Sequence, residues 1–438
     1  DGPLWRKIFD YRRMLNLQPL KGVFRYYEFI APIIPLDKIL YLGEGHSPIV
    51  KANARLRDIV GSEFYFKDDG LNPSASFKDR GMACAMSFIN YFAEKNNIEK
   101  LLAICASTGD TSASAALYAS YMNDFIKSMV LLPQGKVTSQ QLAQPLGSGA
   151  KVLEIPGVFD DCMKVVEHLA DSYHVALLNS KNSWRILGQE SFSYEIAQDF
   201  DYDMDNIAIV LPIGNAGNIT AVMNGFLKFF RAGIIKSLPR IIGVQSEHAD
   251  PVYRYYLESD PKKRKFEPVD VRPSVAQAAM IGNPVSIPRV IRVAGEYNET
   301  ALEQKIFVVQ VTEQEIMDSM IKANRNGNIV CTQGGESMAG MRRAVEQKIV
   351  KSSDVGVLDS TAHMLKFISF QEKYFTDSFE PDFEVKPREE LKNSPMLIRP
   401  QNIKKYPEQG KPLRGKDLEE FIQGISLEIA SLLGLEKI

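Results

Sequence analysis

Cysteine and histidine are scarce: 438 residues hold four cysteines and five histidines. Cys84, Cys105, Cys162 and Cys331 stand apart in apolar surroundings with no CxxC pair. Neither a disulfide framework nor a metal site is therefore expected, and the four thiols read as structural. An excess of one charge is also missing. With 52 basic against 54 acidic side chains, the chain has no electrostatic reason to bind nucleic acid or an anionic membrane. Apolar stretches such as LLAIC at 101–105 fall far short of the roughly 20 residues that cross a bilayer. The opening DGPLWRKIF has no basic stretch leading into an apolar one, so no signal peptide is read there. The expected setting is cytoplasmic, and the expected partner a small molecule. No internal repeat and no low-complexity tract is found.

What is present is a long, well-patterned chain. Its length exceeds what one core usually serves, which suggests two lobes or one large domain with elaborations. From about position 60, short β-rich runs alternate with helical periodicity. EFYFK (63–67), LLAICA (101–106), SMVLLP (128–133), KVLEI (151–155), HVALL (174–178), IAIVLP (207–212), RIIGVQ (240–245) and FVVQV (307–311) read as strands. Met82, Met86, Ile89 and Ala93 recur at helical spacing, and Thr312 with Glu315 reads as a capping box. This alternation predicts an α/β fold with parallel sheets covered on both faces. Residues 258–273 are charged and contain proline, and read as a surface excursion. Residues 376–416 are rich in Pro, Lys and Glu. Behind Asp417 as N-cap, Leu418, Phe421, Ile422, Ile425, Ile429, Leu432 and Leu433 trace one face of a terminal helix that needs something to dock on.

In open parallel sheets, ligands gather where strands end and loops lead into helix N-termini. Three stretches qualify. PIGNAGNIT at 212–220 follows a strand and precedes a helix expected from about Ile219. Gly214 and Gly217 permit close backbone approach, and consecutive amides there suit a phosphate. The loop matches neither GxxxxGK[ST] nor GxGxxG, which argues against ATP and dinucleotides. Its plainer reading is a Gly-Asn turn that caps a helix. ASTGDTSAS at 106–114 crowds hydroxyls and an acid at a helix start, though Ser107, Thr108 and Thr111 alone would pass for caps. The third is NPSASFKDRG at 72–81. A lone lysine is usually a solvated charge, yet Lys78 stands at a helix start, where a cation opposes the macrodipole. A lysine destabilised in this way has a depressed pKa and can attack an aldehyde. An aldehyde cofactor with a phosphate would need such an amine at one end and an amide cradle at the other.

Together with STAHMLKF at 360–367, GEGHSP at 43–48, NSKNSWRILGQES at 179–191 and IGNP at 281–284, these stretches resemble threonine synthase, within the fold-type II pyridoxal-phosphate enzymes. The resemblance spans roughly 40 to 370. It implies two open, mostly parallel sheets flanked by helices, with the active site between two lobes. The implied division is a lead-in over 1–65, a small lobe over 66–186 carrying the lysine, a large lobe over 187–375 carrying the phosphate loop, and an extension over 376–438. Carried over, Lys78 is the Schiff-base lysine and later proton carrier, and Gly214, Asn215, Ala216, Gly217 and Asn218 cradle the cofactor phosphate. Thr361 faces the pyridine nitrogen with a hydroxyl rather than a carboxylate, and Asp110 lies beside the ring hydroxyl. Ser107, Thr108, Asn179, Ser180 and Arg185 contact the substrate, with Arg185 suited to its phosphate as a planar fork. The implied reaction turns O-phosphohomoserine and water into threonine and phosphate, in a homodimer.

Four positions depart from the family pattern. Asp110 stands where Asn is frequent, Ser47 where Thr is usual, and Ser74 and Ala75 where Thr-Gly is frequent. These changes are expected near the substrate, so two other readings stay open. One is a related enzyme replacing the phosphate of phosphoserine, as a cysteate synthase would. The other is a non-catalytic amino-acid binder on the same fold.

Overall fold

The computed structural model describes residues 1–105, 107, 109–122, 126–134, 139–156, 159–179, 182–408 and 410–437. Asp1–Leu391 form one compact unit and Lys392–Ile438 another.

The described residues of the first unit form ten strands: β1 (Ile49–Lys51), β2 (Glu63–Lys67), β3 (Leu101–Cys105), β4 (Ile126–Pro133), β5 (Lys151–Ile155), β6 (Val175–Leu177), β7 (Ile207–Pro212), β8 (Arg240–Ser246), β9 (Ile306–Val311) and β10 (Val355–Asp359). They form two sheets, of order β1-β2-β10-β7-β8-β9 and β5-β4-β3-β6. The smaller sheet is parallel throughout. In the larger one, β1 alone runs antiparallel, on β2. Strands buried on both faces need apolar side chains in both directions, and β7 supplies them. Ile207, Ile209 and Leu211 enter one apolar cluster with Phe226 and Phe229, whereas Ala208 and Val210 enter another with Phe64, Phe66 and Val244.

Two strands escape the sequence reading. β1 is a three-residue edge. β10 is central, between β2 and β7, yet its VGVLD pattern is interrupted by glycine. The reason for Gly356 is spatial, since a Cβ there would stand 2.7 Å from Met341 Cε and 3.0 Å from Phe64 Cβ. The capping box at Thr312 forms as expected, with Thr312 Oγ1 accepting from Glu315 N and Glu315 Oε2 accepting from Thr312 N. Most of residues 258–273 lie outside helices and strands.

In the second unit the terminal helix spans Gly415–Leu433. Its N-cap is Arg414, so Asp417 stands in the first turn rather than at the cap. There its negative charge still favours the helix N-terminus, and it pairs with Lys405 Nζ at 2.7 Å.

Candidate active site

Lys78 opens the helix Lys78–Lys95, and its neighbours explain its setting. Asp79 turns back to accept from Ser74 N and Ser74 Oγ, at 2.6 and 2.7 Å, and from Ser114 Oγ. Arg80 is buried in a network with both oxygens of Asp69 (2.8 and 2.6 Å), Glu195, Ser191 and Ser47. Both flanking charges are thereby consumed inside the protein. Ser47 and Ser74, expected near the substrate, belong to these supporting networks.

The lysine peptide is laced onto the segment after β10. Phe77 N donates to Thr361 O at 2.8 Å, His363 N donates to Ala75 O at 3.0 Å, and Ser76 bridges Ala362. Gly70 lies under the same segment, where a Cβ would come within 2.8 Å of Ala362 C. Lys78 itself is half-buried, with Nζ 3.9 Å from the centroid of the Phe77 ring. Burial and then the positive charge of Arg185 push its amine down to about 8, against the opposing influence of Asp110 and Asp359. The weakened cation expected at Lys78 is present, but desolvation and Arg185 account for it rather than the helix macrodipole.

Arg185 sits in the helix Ser183–Gln189, capped by Asn182. That helix packs closely on the lysine helix through two glycines: a Cβ on Gly81 would stand 2.7 Å from Arg185 O, and one on Gly188 2.1 Å from Arg80 O. Arg185 is 2 % exposed. Its Nη1 donates to Leu178 O at 3.0 Å, and its Nε has no hydrogen-bond partner. Burial lowers its pKa to about 10, and no carboxylate figures among the groups that act on it. A buried guanidinium without a counter-ion is costly and suits an anion.

The loop after β7 leads into the helix Gly217–Arg231, two residues earlier than expected. Ala216 makes this possible by taking φ +63°, a left-handed conformation that costs an L-residue about 1–2 kcal/mol. Gly217 and Asn218 thus belong to the first turn, where amides have no intrahelical acceptor. Gly214 presses on the 278–279 backbone, a Cβ there standing 3.0 Å from Ala279 Cα. Gly214, Asn215, Gly217 and Asn218 are half-buried, so the loop is reachable from outside.

Asp359, at the end of β10, was missed in the sequence although it directly precedes STAHMLKF. It is wholly buried; its Oδ2 accepts from Asn218 Nδ2 at 2.8 Å while its Oδ1 has no partner. Burial pushes its carboxyl well up, and its charge and that of Lys78 act on each other. It connects the lysine and the loop electrostatically. Thr361 is buried with Oγ1 3.5 Å from Cys331 Sγ. Asp110 starts the helix Asp110–Tyr121 and pairs with Lys366 Nζ at 2.9 Å, and Lys366 also donates to Ser74 O at 2.8 Å. Ser107 Oγ accepts from Gly109 N at 3.3 Å, the turn role of its plainer reading, and Asn179 follows β6 half-buried. Thr108 and Ser180 lie outside the described residues. All four cysteines are buried and free. Burial pushes the thiols of Cys105 and Cys331 up to about 12 and about 11, which keeps them unreactive.

A destabilised amine, an amide-rich helix start and a buried hydroxyl suit a phosphorylated aldehyde, and Arg185 adds a buried cation suited to a second anion. They fit an enzyme that uses pyridoxal phosphate, and the family of pyridoxal-phosphate dependent enzymes matches residues 40–360. The chain belongs to that family and, within it, to the threonine synthases. It is 33% identical over 376 residues to threonine synthase of Methanocaldococcus jannaschii, covering 83% of this chain and 87% of that protein. It is 35% identical over 367 residues to that of Methanosarcina acetivorans, covering 82% and 85%. Chloroplastic threonine synthase 2 of Arabidopsis thaliana is 32% identical, with 87% and 72% covered. In fold, the chain is similar to the crystal structure of Escherichia coli threonine synthase, with TM-score 0.64, 21% identity, and 83% and 81% covered. The cofactor of this family is pyridoxal phosphate.

Proposed function

We propose that the chain converts O-phospho-L-homoserine and water to L-threonine and phosphate, with Lys78 carrying the cofactor and Arg185 receiving the phosphate of the substrate. The observation that carries this reading is Arg185, a buried cation with no carboxylate partner among the described residues, placed where its charge reaches Lys78.

Gly214, Asn215, Ala216, Gly217 and Asn218 would hold the cofactor phosphate through main-chain amides and the helix dipole. Thr361 would meet the pyridine nitrogen with a neutral hydroxyl, and Asp110, held by Lys366, would lie beside the ring hydroxyl. When bound, pyridoxal phosphate supplies an electron-withdrawing ring that stabilises negative charge on the attached carbon. Lys78, whose pKa of about 8 leaves part of its population neutral near physiological pH, moves protons at Cα and Cβ of the substrate. Arg185, with Asn179 and Ser180, orients the γ-phosphate and neutralises it as it leaves. Ser107 and Thr108 would line the amino-acid end. A proton would be delivered to Cγ, which becomes the methyl carbon of threonine in place of the departed phosphate, the hydroxyl of water would add at Cβ, and Cα would be reprotonated, so that one water is consumed for each phosphate released.

This reading places the lysine on a small lobe over 66–186 and the phosphate loop on a large lobe over 187–375. It has the chain working in the cytoplasm as a homodimer without nucleic-acid or membrane partners. Near-balanced charge supports the last point, and no described helix is long and apolar enough to cross a membrane.

Phosphate release tests the substrate. Purified protein loaded with pyridoxal phosphate should release phosphate from O-phosphohomoserine and accumulate threonine. Turnover of phosphoserine alone would transfer the reading to a shorter substrate, and release from neither would refute it.

A further inference from the structure

Glu247 and His248 follow β8, and Glu384 lies some 136 residues further along the chain, at the end of the short turn Pro381–Phe383. The fold brings them together: one ligand atom from each lies within 4.8 Å of the others. Spacing in the sequence gives no hint of this, and no metal site was expected.

The imidazole is the informative group. His248 is buried, and its Nδ1 stands 2.6 Å from Pro273 O. A carbonyl only accepts, so Nδ1 carries the hydrogen and Nε2 of the neutral ring presents a lone pair. Nε2 makes no hydrogen bond and stands 3.5 Å from Glu384 Oε2. Glu384 Oε1 is already taken by Arg272 Nη1 at 2.6 Å, which leaves Oε2 for the imidazole side. Glu313, also near the ring, is not available. Its oxygens accept from Ser246 Oγ, Ser274 Oγ and Val275 N. A carboxylate oxygen of Glu247 completes the cluster, within 4.8 Å of both other ligand atoms. A lone pair therefore faces two carboxylates, and only a proton or a cation resolves that conflict.

We propose that Glu247, His248 and Glu384 bind a divalent transition-metal ion of the Zn²⁺ type, fastening the segment around Glu384 to the loop after β8. The ligand set suits that choice. Imidazole with carboxylate favours first-row metals over Mg²⁺ or Ca²⁺, which take oxygen ligands. A tetrahedron with arms of about 2.1 Å sets its corners about 3.4 Å apart, close to the separation of Nε2 and Oε2. The Nδ1 hydrogen bond to a backbone carbonyl is the arrangement that orients a metal-bound histidine. Glu384 is 52% exposed along its side chain, so the fourth position is open to water.

The test uses the full-length, cofactor-loaded protein, equilibrated with ZnCl₂ and dialysed. The wild type should retain about one Zn²⁺ per chain by elemental analysis and melt at a higher temperature with zinc than after chelation. Glu384→Gln and His248→Gln should each weaken zinc binding about tenfold or more. Glu380→Gln, on the same exposed segment but outside the cluster, should bind as the wild type does. Glu384 lies at the surface, so that variant should fold even if the histidine variant does not. No retained zinc in the wild type, or equal retention by Glu384→Gln, would overturn the proposal and leave His248 as an imidazolium paired with Glu384.

Discussion

Asn218 donates through Nδ2 to Asp359 Oδ2 at 2.8 Å, joining the first turn of the phosphate-loop helix to the strand end that leads into Thr361. Through this bond, the loop, the threonine and the charge that acts on Lys78 form one assembly. Asp359→Ala should free the loop and leave Asn218 Nδ2 without its acceptor. The affinity for pyridoxal phosphate should then fall about tenfold, since leaving a donor such as Asn218 Nδ2 unsatisfied costs roughly 1–3 kcal/mol. Titration of the cofactor-free protein, followed by absorbance, measures this.

Lys78→Ala should abolish turnover, by about 10³-fold or more, while the far-ultraviolet circular dichroism and melting transition persist. The lysine contributes little to the core, because its helix is held by Asp79 and Arg80. Steady-state rates with O-phosphohomoserine, measured beside an unfolding curve, check both halves.

Arg185→Gln should raise KM for the phosphorylated substrate strongly while cofactor absorbance stays intact. The same change removes a positive charge that acts on Lys78, so the lysine should titrate higher in the cofactor-free protein. The pH dependence of its reaction with an amine reagent reports that shift.

The depressed pKa of Lys78 also sets a stability trend. A cation whose folded pKa is about 8, against about 10.4 unfolded, leaves the unfolded chain binding more protons between those values. Its contribution to stability is therefore unfavourable below pH 8, rises with pH across that window, and levels off above it. In the cofactor-free protein, the stability difference between wild type and Lys78→Met should shrink toward pH 10. Denaturant unfolding at a series of pH values tests the sign.

Asp110 and Lys366 form a largely buried pair at 2.9 Å. Lys366→Met should destabilise by roughly 3–5 kcal/mol, the usual cost of stranding one member of such a pair, and adding Asp110→Asn should recover part of it. A double-mutant cycle on unfolding free energies gives the coupling directly.

Much of this molecule is legible in its sequence because the physics there is local. EFYFK, KVLEI and IAIVLP form strands at the residues their pattern predicts, since buried parallel strands require apolar side chains on both faces. The helix-start position of Lys78 anticipated a weakened cation but not its causes, because burial and the charge of Arg185, 107 residues further along the chain, are what depress the amine. β10 was not readable, as Gly356 looks like a turn until Met341 and Phe64 are seen occupying the space a Cβ would need. Asp359 gains its role only by meeting Asn218 across 141 residues. Arg185 is significant for the counter-ion it lacks, which no local pattern encodes. The helix at Gly217 begins early because Ala216 adopts a conformation usually reserved for glycine.

The most direct test of the account is to reduce the cofactor-loaded protein with borohydride and map its peptides by mass spectrometry. The account predicts one pyridoxyl-phosphate adduct, on Lys78 in the peptide containing NPSASFKDRG. An adduct on a different lysine, or an unmodified Lys78 peptide in a protein that still turns over substrate, would contradict it.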